Sequence, residues 1–166
     1  MLCVNGLTFR ILERILLASG RSGMDIPGRE SHEMNRRRKS VLVIDDDQVC
    51  LKAIAAMVAR LGYTAEATAD GFHALHLLEN QTFDLVIVDM VMPEIGGLLL
   101  TKLIRQQHPR TPILAVSGYY EKVSRAVGAP DIDAILPKPL KLETLRSALY
   151  DIFLKTKSTE LPLPTA

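Results

Sequence analysis

From Ser40 onward the chain alternates short, wholly apolar runs with longer segments whose apolar residues recur at helical spacing. Val41-Leu42-Val43-Ile44 is an unbroken apolar run, largely β-branched, that stops at Asp45; it predicts a strand buried on both faces. Ile54, Met57, Val58 and Leu61 then lie on one helical face, and Gly62 stands where the helix would end. Thr64 to Thr68 reads as a short strand. Asp70 is placed to cap a second helix, carried by Leu75 and Leu78. Leu85-Val86-Ile87-Val88, enclosed by Asp84 and Asp89, repeats the buried-strand signature. Leu100, Leu103 and Ile104 mark a third helix closed by Pro109, and Ile113 to Val116 a fourth strand. Val123, Ala126 and Val127 mark a weak fourth helix, and Ile132 to Leu136 the last strand. Leu142, Leu145, Leu149, Ile152 and Phe153 give the most regular helix of the chain.

Five strand–helix pairs with uniformly apolar strands predict an α/β fold: a parallel sheet covered by helices on both faces. Right-handed crossovers make it doubly wound, and the commonest order for five strands is the flavodoxin-like 2-1-3-4-5. The expected organisation is an N-terminal extension over 1–39, the α/β domain over 40–155 and a disordered tail over 156–166. The extension contains Gly20, Gly23, Pro27 and Gly28 and a polar run without period, preceded by Leu7, Ile11, Ile15 and Ala18 at helical spacing. That spacing allows a short amphipathic helix; translated upstream sequence without a role is the alternative, since Met24 and Met34 also suit as starts. The tail carries prolines and no period, and no attached output domain is expected.

Composition narrows the picture by exclusion. A formal net charge of +1 gives no electrostatic argument for a nucleic-acid or acidic partner. The basic cluster Arg36 to Lys39 has no interleaved aromatics and reads as a solvated flank. Two cysteines, Cys3 and Cys50, make no disulfide framework. No stretch reaches the roughly 18 apolar residues of a membrane span. Arg10, Glu13 and Arg14 break the N-terminal apolar stretch below what a signal peptide needs. A cytoplasmic protein is expected.

Ligands of open doubly wound sheets sit beyond the carboxyl ends of the strands. There the first strand ends in Asp45, Asp46 and Asp47, the third in Asp89, the fourth in Ser117 and Gly118, and the fifth in Lys138 followed by Pro139. Singly, these residues are ordinary caps, polar loops and turns. Together, and with strands one and three adjacent, they bring carboxylates, a hydroxyl and an ammonium to one pocket. Crowded carboxylates repel and raise at least one pKa unless a hard divalent cation intervenes. Mg2+ takes one or two carboxylates, waters and phosphate oxygens, and a lysine suits a phosphoryl oxygen. The constellation points to metal-assisted phosphoryl chemistry.

The segments VLVIDDD (41–47), DLVIVDMVMPEIGG (84–97), AVSG (115–118) and LPKP (136–139) resemble, in order, the motifs of the receiver domains of two-component response regulators. The resemblance runs from about Ser40 to Lys155. It implies a stand-alone, Mg2+-dependent phosphoacceptor, not an enzyme acting on a separate substrate. Asp89 would take the phosphoryl group from a phosphohistidine, and Asp46 would bind Mg2+ directly, with Asp45 acting through water. The Val91 backbone carbonyl and the Asp89 carboxylate would complete the metal's protein ligands. Ser117 and Lys138 would contact the phosphoryl group, and a cis bond before Pro139 would aim Lys138 into the pocket. The implied partners are a sensor histidine kinase or histidine phosphotransfer protein and an unknown downstream protein. Neither direct nucleic-acid binding nor a membrane span is expected. A homodimer through the face between the fourth and fifth helices is a further implied partnership.

The chain departs from the pattern at two points. Ile135 stands where the family usually has an aromatic switch residue, and Gly96-Gly97 replaces the usual acidic residue and glycine. Two rival readings stay open. One is a haloacid-dehalogenase-like phosphohydrolase, for which Asp45 and Asp47 have suitable spacing. The other is a non-phosphorylated protein-binding scaffold, although scaffold members lack acidic or lysine positions that are present here.

Overall fold

The computed structural model describes residues 37–119 and 131–159. The expected N-terminal helix, the helix around 123–127 with the dimer face it would form, and the end of the tail lie outside those residues. The described strands are β1 (Ser40–Ile44), β2 (Thr64–Thr68), β3 (Leu85–Asp89), β4 (Ile113–Ser117) and β5 (Ala134–Pro137). The described helices are α1 (Gln48–Arg60), α2 (Gly71–Asn80), α3 (Gly97–Gln107) and α4 (Leu142–Thr159). The strands form one sheet in the order β2-β1-β3-β4-β5, and every pairing is parallel. This is the doubly wound, flavodoxin-like arrangement that the alternating pattern predicts.

The apolar strands are buried because each feeds two cores. Val41 and Val43 of β1 and Leu85 and Ile87 of β3 pack with Leu51, Ile54 and Val58 of α1 and Leu145, Leu149 and Phe153 of α4. Their alternates Leu42, Ile44, Val86 and Val88 pack with Ala74 and Leu78 of α2 and Leu100 and Ile104 of α3 on the opposite face. Alternation of side chains along each strand thus produces the two-sided sandwich. At about 1.5–3 kcal/mol per fully buried aliphatic side chain, these layers dominate the favourable side of folding.

Helix ends follow the polar residues. Asp47 caps α1 by accepting from the Val49 and Cys50 amides at 2.7 and 3.2 Å. Asp70 caps α2 the same way, accepting from Phe72 and His73 at 2.7 and 3.2 Å. Gly62 follows α1 with φ +91°, a left-handed conformation that costs glycine nothing.

Two boundaries differ from the sequence expectation. The fifth strand begins at Ala134, not Ile132, and ends at Pro137. The Asp133 carboxylate accepts from the Ile113 amide at 2.8 Å and from Arg105 at 2.7 Å, so a side chain takes the amide that a longer ladder would use. The last helix runs on to Thr159, past the expected end at Lys155. Residues 156–159 contain no helix breaker, and the Thr156 hydroxyl donates back to the Ile152 carbonyl at 3.0 Å. No helix among the described residues is long and apolar enough to cross a membrane.

Candidate functional site

The carboxyl ends of β1, β3 and β5 converge on one charged cluster. Asp45 directly follows β1 and is 1% exposed; Asp89 ends β3 and is 5% exposed. Lys138, one residue past β5, donates from Nζ to Asp45 Oδ2 at 2.8 Å and to Asp89 Oδ2 at 2.9 Å. The other carboxylate oxygens are held by the backbone: Asp45 Oδ1 accepts from the Asp47 amide at 3.0 Å, and Asp89 Oδ1 from the Val91 amide at 3.3 Å. Asp46 is exposed, yet one carboxylate oxygen each from Asp45, Asp46 and Asp89 lie within 4.8 Å of one another.

Burial and hydrogen bonding shift Asp45 and Lys138. Loss of solvent pushes the Asp45 carboxyl above the usual carboxylate range, and the hydrogen bond and charge of Lys138 only partly offset it. The same loss of solvent pulls the Lys138 ammonium down, but its hydrogen bonds to Asp45 and Asp89 prevail and hold its pKa above the ordinary lysine value. One ammonium cannot neutralise three carboxylates. The donor set is all oxygen, with two members buried and one open to water, and it fits a hard divalent cation that keeps part of its hydration.

A pH dependence follows. The folded state retains the Asp45 proton to higher pH than the unfolded chain does. That contribution to stability is therefore present at low pH and lost as pH rises from about 4 through the raised value. Lys138 acts in the opposite pH region: its contribution persists below the ordinary lysine range and is lost only above it. Metal-free protein is expected to melt lower as pH rises from about 4 through the raised value, and Asp45→Asn should flatten that slope. Parallel melting curves for the two proteins across this range would contradict the assignment.

The remaining sequence candidates fall around this cluster. Ser117 ends β4 fully buried; its hydroxyl accepts from the Tyr119 amide at 3.0 Å, and its carbonyl accepts from the Lys138 amide at 2.9 Å. Val91 is joined to Asp89 through its amide, and its side chain is exposed. The Lys138–Pro139 peptide is cis. Ile135 lies opposite Ala115 on β5, half-buried. Asp47 turns its carboxylate to the α1 amides, which hold its pKa below the usual range. That orientation aims one oxygen of the would-be second acid of a phosphohydrolase pair at the helix and away from the cluster.

Sequence reasoning missed the closeness of α3. A Cβ on Gly97 would meet the Asp89 carbonyl oxygen at 2.2 Å and Met90 Cα at 2.5 Å. The glycine pair was visible as a departure from a pattern, but a contact between a helix terminus and a strand end has no sequence period.

Comparison with known proteins agrees with this geometry. Residues 41–150 match the family described as the response regulator receiver domain. The response regulator MprA of Mycobacterium sp. (strain KMS) is 32% identical over 124 residues, which span 74% of this chain and 54% of that protein. The regulator of RpoS of Escherichia coli (strain K12) is 34% identical over 114 residues, 68% of this chain and 34% of that protein. This chain thus spans about half or less of the length of these relatives. The crystal structure of the signal receiver domain of an HD domain-containing protein from Pseudomonas fluorescens Pf-5 superposes with a TM-score of 0.67. It is 29% identical and covers 74% of this chain and 99% of that one. The strand order, the cluster of aspartates and lysine at the strand ends, and a match over most of the chain agree: the chain belongs to the response regulator receiver domain family, the signalling modules of two-component systems.

Proposed function

We propose that this receiver takes a phosphoryl group onto Asp89 from a phosphohistidine of a sensor histidine kinase or histidine phosphotransfer protein, in a Mg2+-dependent step. The observation that carries the reading is Lys138, whose ammonium is hydrogen-bonded to both Asp45 and Asp89 at the mouth of an otherwise over-negative cluster. In the transfer, a carboxylate oxygen of Asp89 bonds to phosphorus as the phosphorus–nitrogen bond breaks. The bonding pair leaves with the imidazole, and the product is an acyl phosphate. Lys138, already touching Asp89, offers its ammonium to the incoming phosphoryl oxygens, and Ser117 has its hydroxyl proton to donate to another. Asp45 and Asp46, with Asp89 and the Val91 carbonyl, would hold Mg2+, which when bound neutralises charge on the phosphoryl oxygens. Output is by protein contact or onward phosphotransfer, and the reading places the domain in the cytoplasm beside its donor. Incubation with Mg2+ and a small acyl phosphate or phosphoramidate donor should raise the intact mass by one phosphoryl group, and chelation of the metal should prevent it. An unchanged mass with both present sinks the proposal.

The two exposed aspartates separate by role. Asp46 lies within the carboxylate cluster, whereas Asp47 is spent on the α1 amides. Asp46→Ala is expected to weaken Mg2+ binding about tenfold, near 1.4 kcal/mol, and to raise the melting temperature of metal-free protein by relieving repulsion. Asp47→Ala should leave Mg2+ affinity nearly unchanged and lower the melting temperature through loss of the cap. Calorimetric titration of both variants decides the point; equal affinities would refute this division.

A further inference from the structure

We propose that Gly97 is a positioning residue for the phosphoacceptor segment: its bare Cα lets the first turn of α3 seat directly on the Asp89–Met90 peptide and so fixes the backbone from Asp89 to Val91. The inference rests on the phosphoryl and metal roles proposed above and adds to them a residue that touches neither metal nor phosphoryl group. A Cβ on Gly97 would lie 2.2 Å from the Asp89 carbonyl oxygen, 2.5 Å from Met90 Cα and 3.0 Å from the Asp89 carbonyl carbon. All three are backbone atoms, so no side-chain rotation relieves the overlap. Gly97 does not occupy the left-handed region, so what it provides is space and not conformational freedom. Gly96 beside it would meet nothing within 4 Å.

Both partners in the contact are anchored. The Asp89 end of β3 is held to β4, where the Met90 amide donates to the Val116 carbonyl at 3.0 Å. The helix is held through Leu100, Thr101 and Ile104, all at 0% exposure. The loop between them is pinned by Ile95 in the core of that face. A methyl group at position 97 must therefore part the helix from the strand end, and the connecting loop moves with the gap. That loop begins with Val91, whose amide holds Asp89 Oδ1 and whose carbonyl is assigned to the metal. A displacement of a few tenths of an ångström or more there falls on the nucleophile and the metal ligands together.

The test uses the full chain, Mg2+ alone as probe, and backbone amide resonances as a second readout. Gly97→Ala is expected to weaken Mg2+ binding about tenfold, as loss of a group that orients metal ligands does. It should also shift the Met90 and Val91 amides in metal-free protein. Gly96→Ala should do neither. Leu78→Ala, a cavity variant in α2, should lower the melting temperature while leaving Mg2+ affinity at the wild-type value; this separates positioning from lost stability. Wild-type Mg2+ affinity and unmoved Met90 and Val91 amides in Gly97→Ala would overturn the proposal. Should that variant not fold, the wild type decides. Mg2+ saturation is expected to move the Gly97 and Leu98 amides, and their constancy would overturn the proposal. If wild-type protein binds no Mg2+ at all, the metal reading fails, while the metal-free amide shifts still judge Gly97.

Discussion

Asp89→Asn is expected to abolish phosphoryl uptake outright, with no loss of fold. Asparagine keeps the shape of aspartate, and its amide oxygen retains an acceptor for the Val91 amide that now binds Asp89 Oδ1 at 3.3 Å. What it lacks is negative charge. A neutral amide oxygen is a poor nucleophile toward phosphorus, and its O-phosphoryl adduct would carry a cationic imidate. The neighbouring carboxylates have other roles, Asp46 the metal role proposed above. Asp45 is 1% exposed and tied to Lys138, and Asp47 is occupied with the α1 cap. The ion pair to Lys138 is lost, yet so is one of two like charges that share a single ammonium. The metal-free melting temperature should accordingly hold or rise. Intact mass and a melting curve measured together distinguish the readings. Labelling that survives in Asp89→Asn and moves to Asp45 would favour the phosphohydrolase chemistry, and a wild-type chain that never labels would favour a protein-binding scaffold.

The division between legible and illegible features has a physical basis. Strands β1 and β3 were readable because burial on both faces leaves no polar position, and α1 was readable because Ile54, Met57, Val58 and Leu61 follow the helical period. The site candidates were readable for a related reason. In a parallel sheet the strand ends gather at one edge, so Asp45, Asp89 and Lys138 meet once the topology is known. Two kinds of feature escaped. Strand β5 starts late because Asp133 and Arg105, distant in sequence, intercept the Ile113 amide and nearby carbonyls. Gly97 matters through an absent side chain, and local spacing does not report which backbone a missing Cβ lets in. Boundaries and close approaches are settled by tertiary contacts, and these carry no period.

Removal of the phosphoryl group is expected to be slow, and Val91→Asn with Tyr119→Glu should speed it by about one to two orders of magnitude, or ~1.4–2.7 kcal/mol of barrier. An acyl phosphate on Asp89 decays when water attacks phosphorus opposite the aspartyl oxygen. On the reading proposed above, Val91 and Tyr119 would flank that approach: each lies two residues past a site residue and is fastened to it by its own amide. Val91 donates to Asp89 Oδ1 at 3.3 Å, and Tyr119 donates to the Ser117 hydroxyl at 3.0 Å. Both side chains are exposed, 53% and 60%. An apolar branch cannot orient a water, and a phenol is a poor base near neutral pH, so neither assists attack. Their bulk would occupy the space an attacking water needs. Asparagine at 91 would offer an amide to align that water, and glutamate at 119 a carboxylate to hold or accept its proton. A phosphoprotein shielded in this way would suit transfer to a partner better than rapid self-resetting. Decay is followed by intact mass after removal of the donor, at fixed Mg2+ concentration. A wild-type phosphoprotein lost within seconds, or a double variant that decays no faster than wild type, would show that these two side chains do not shield the bond.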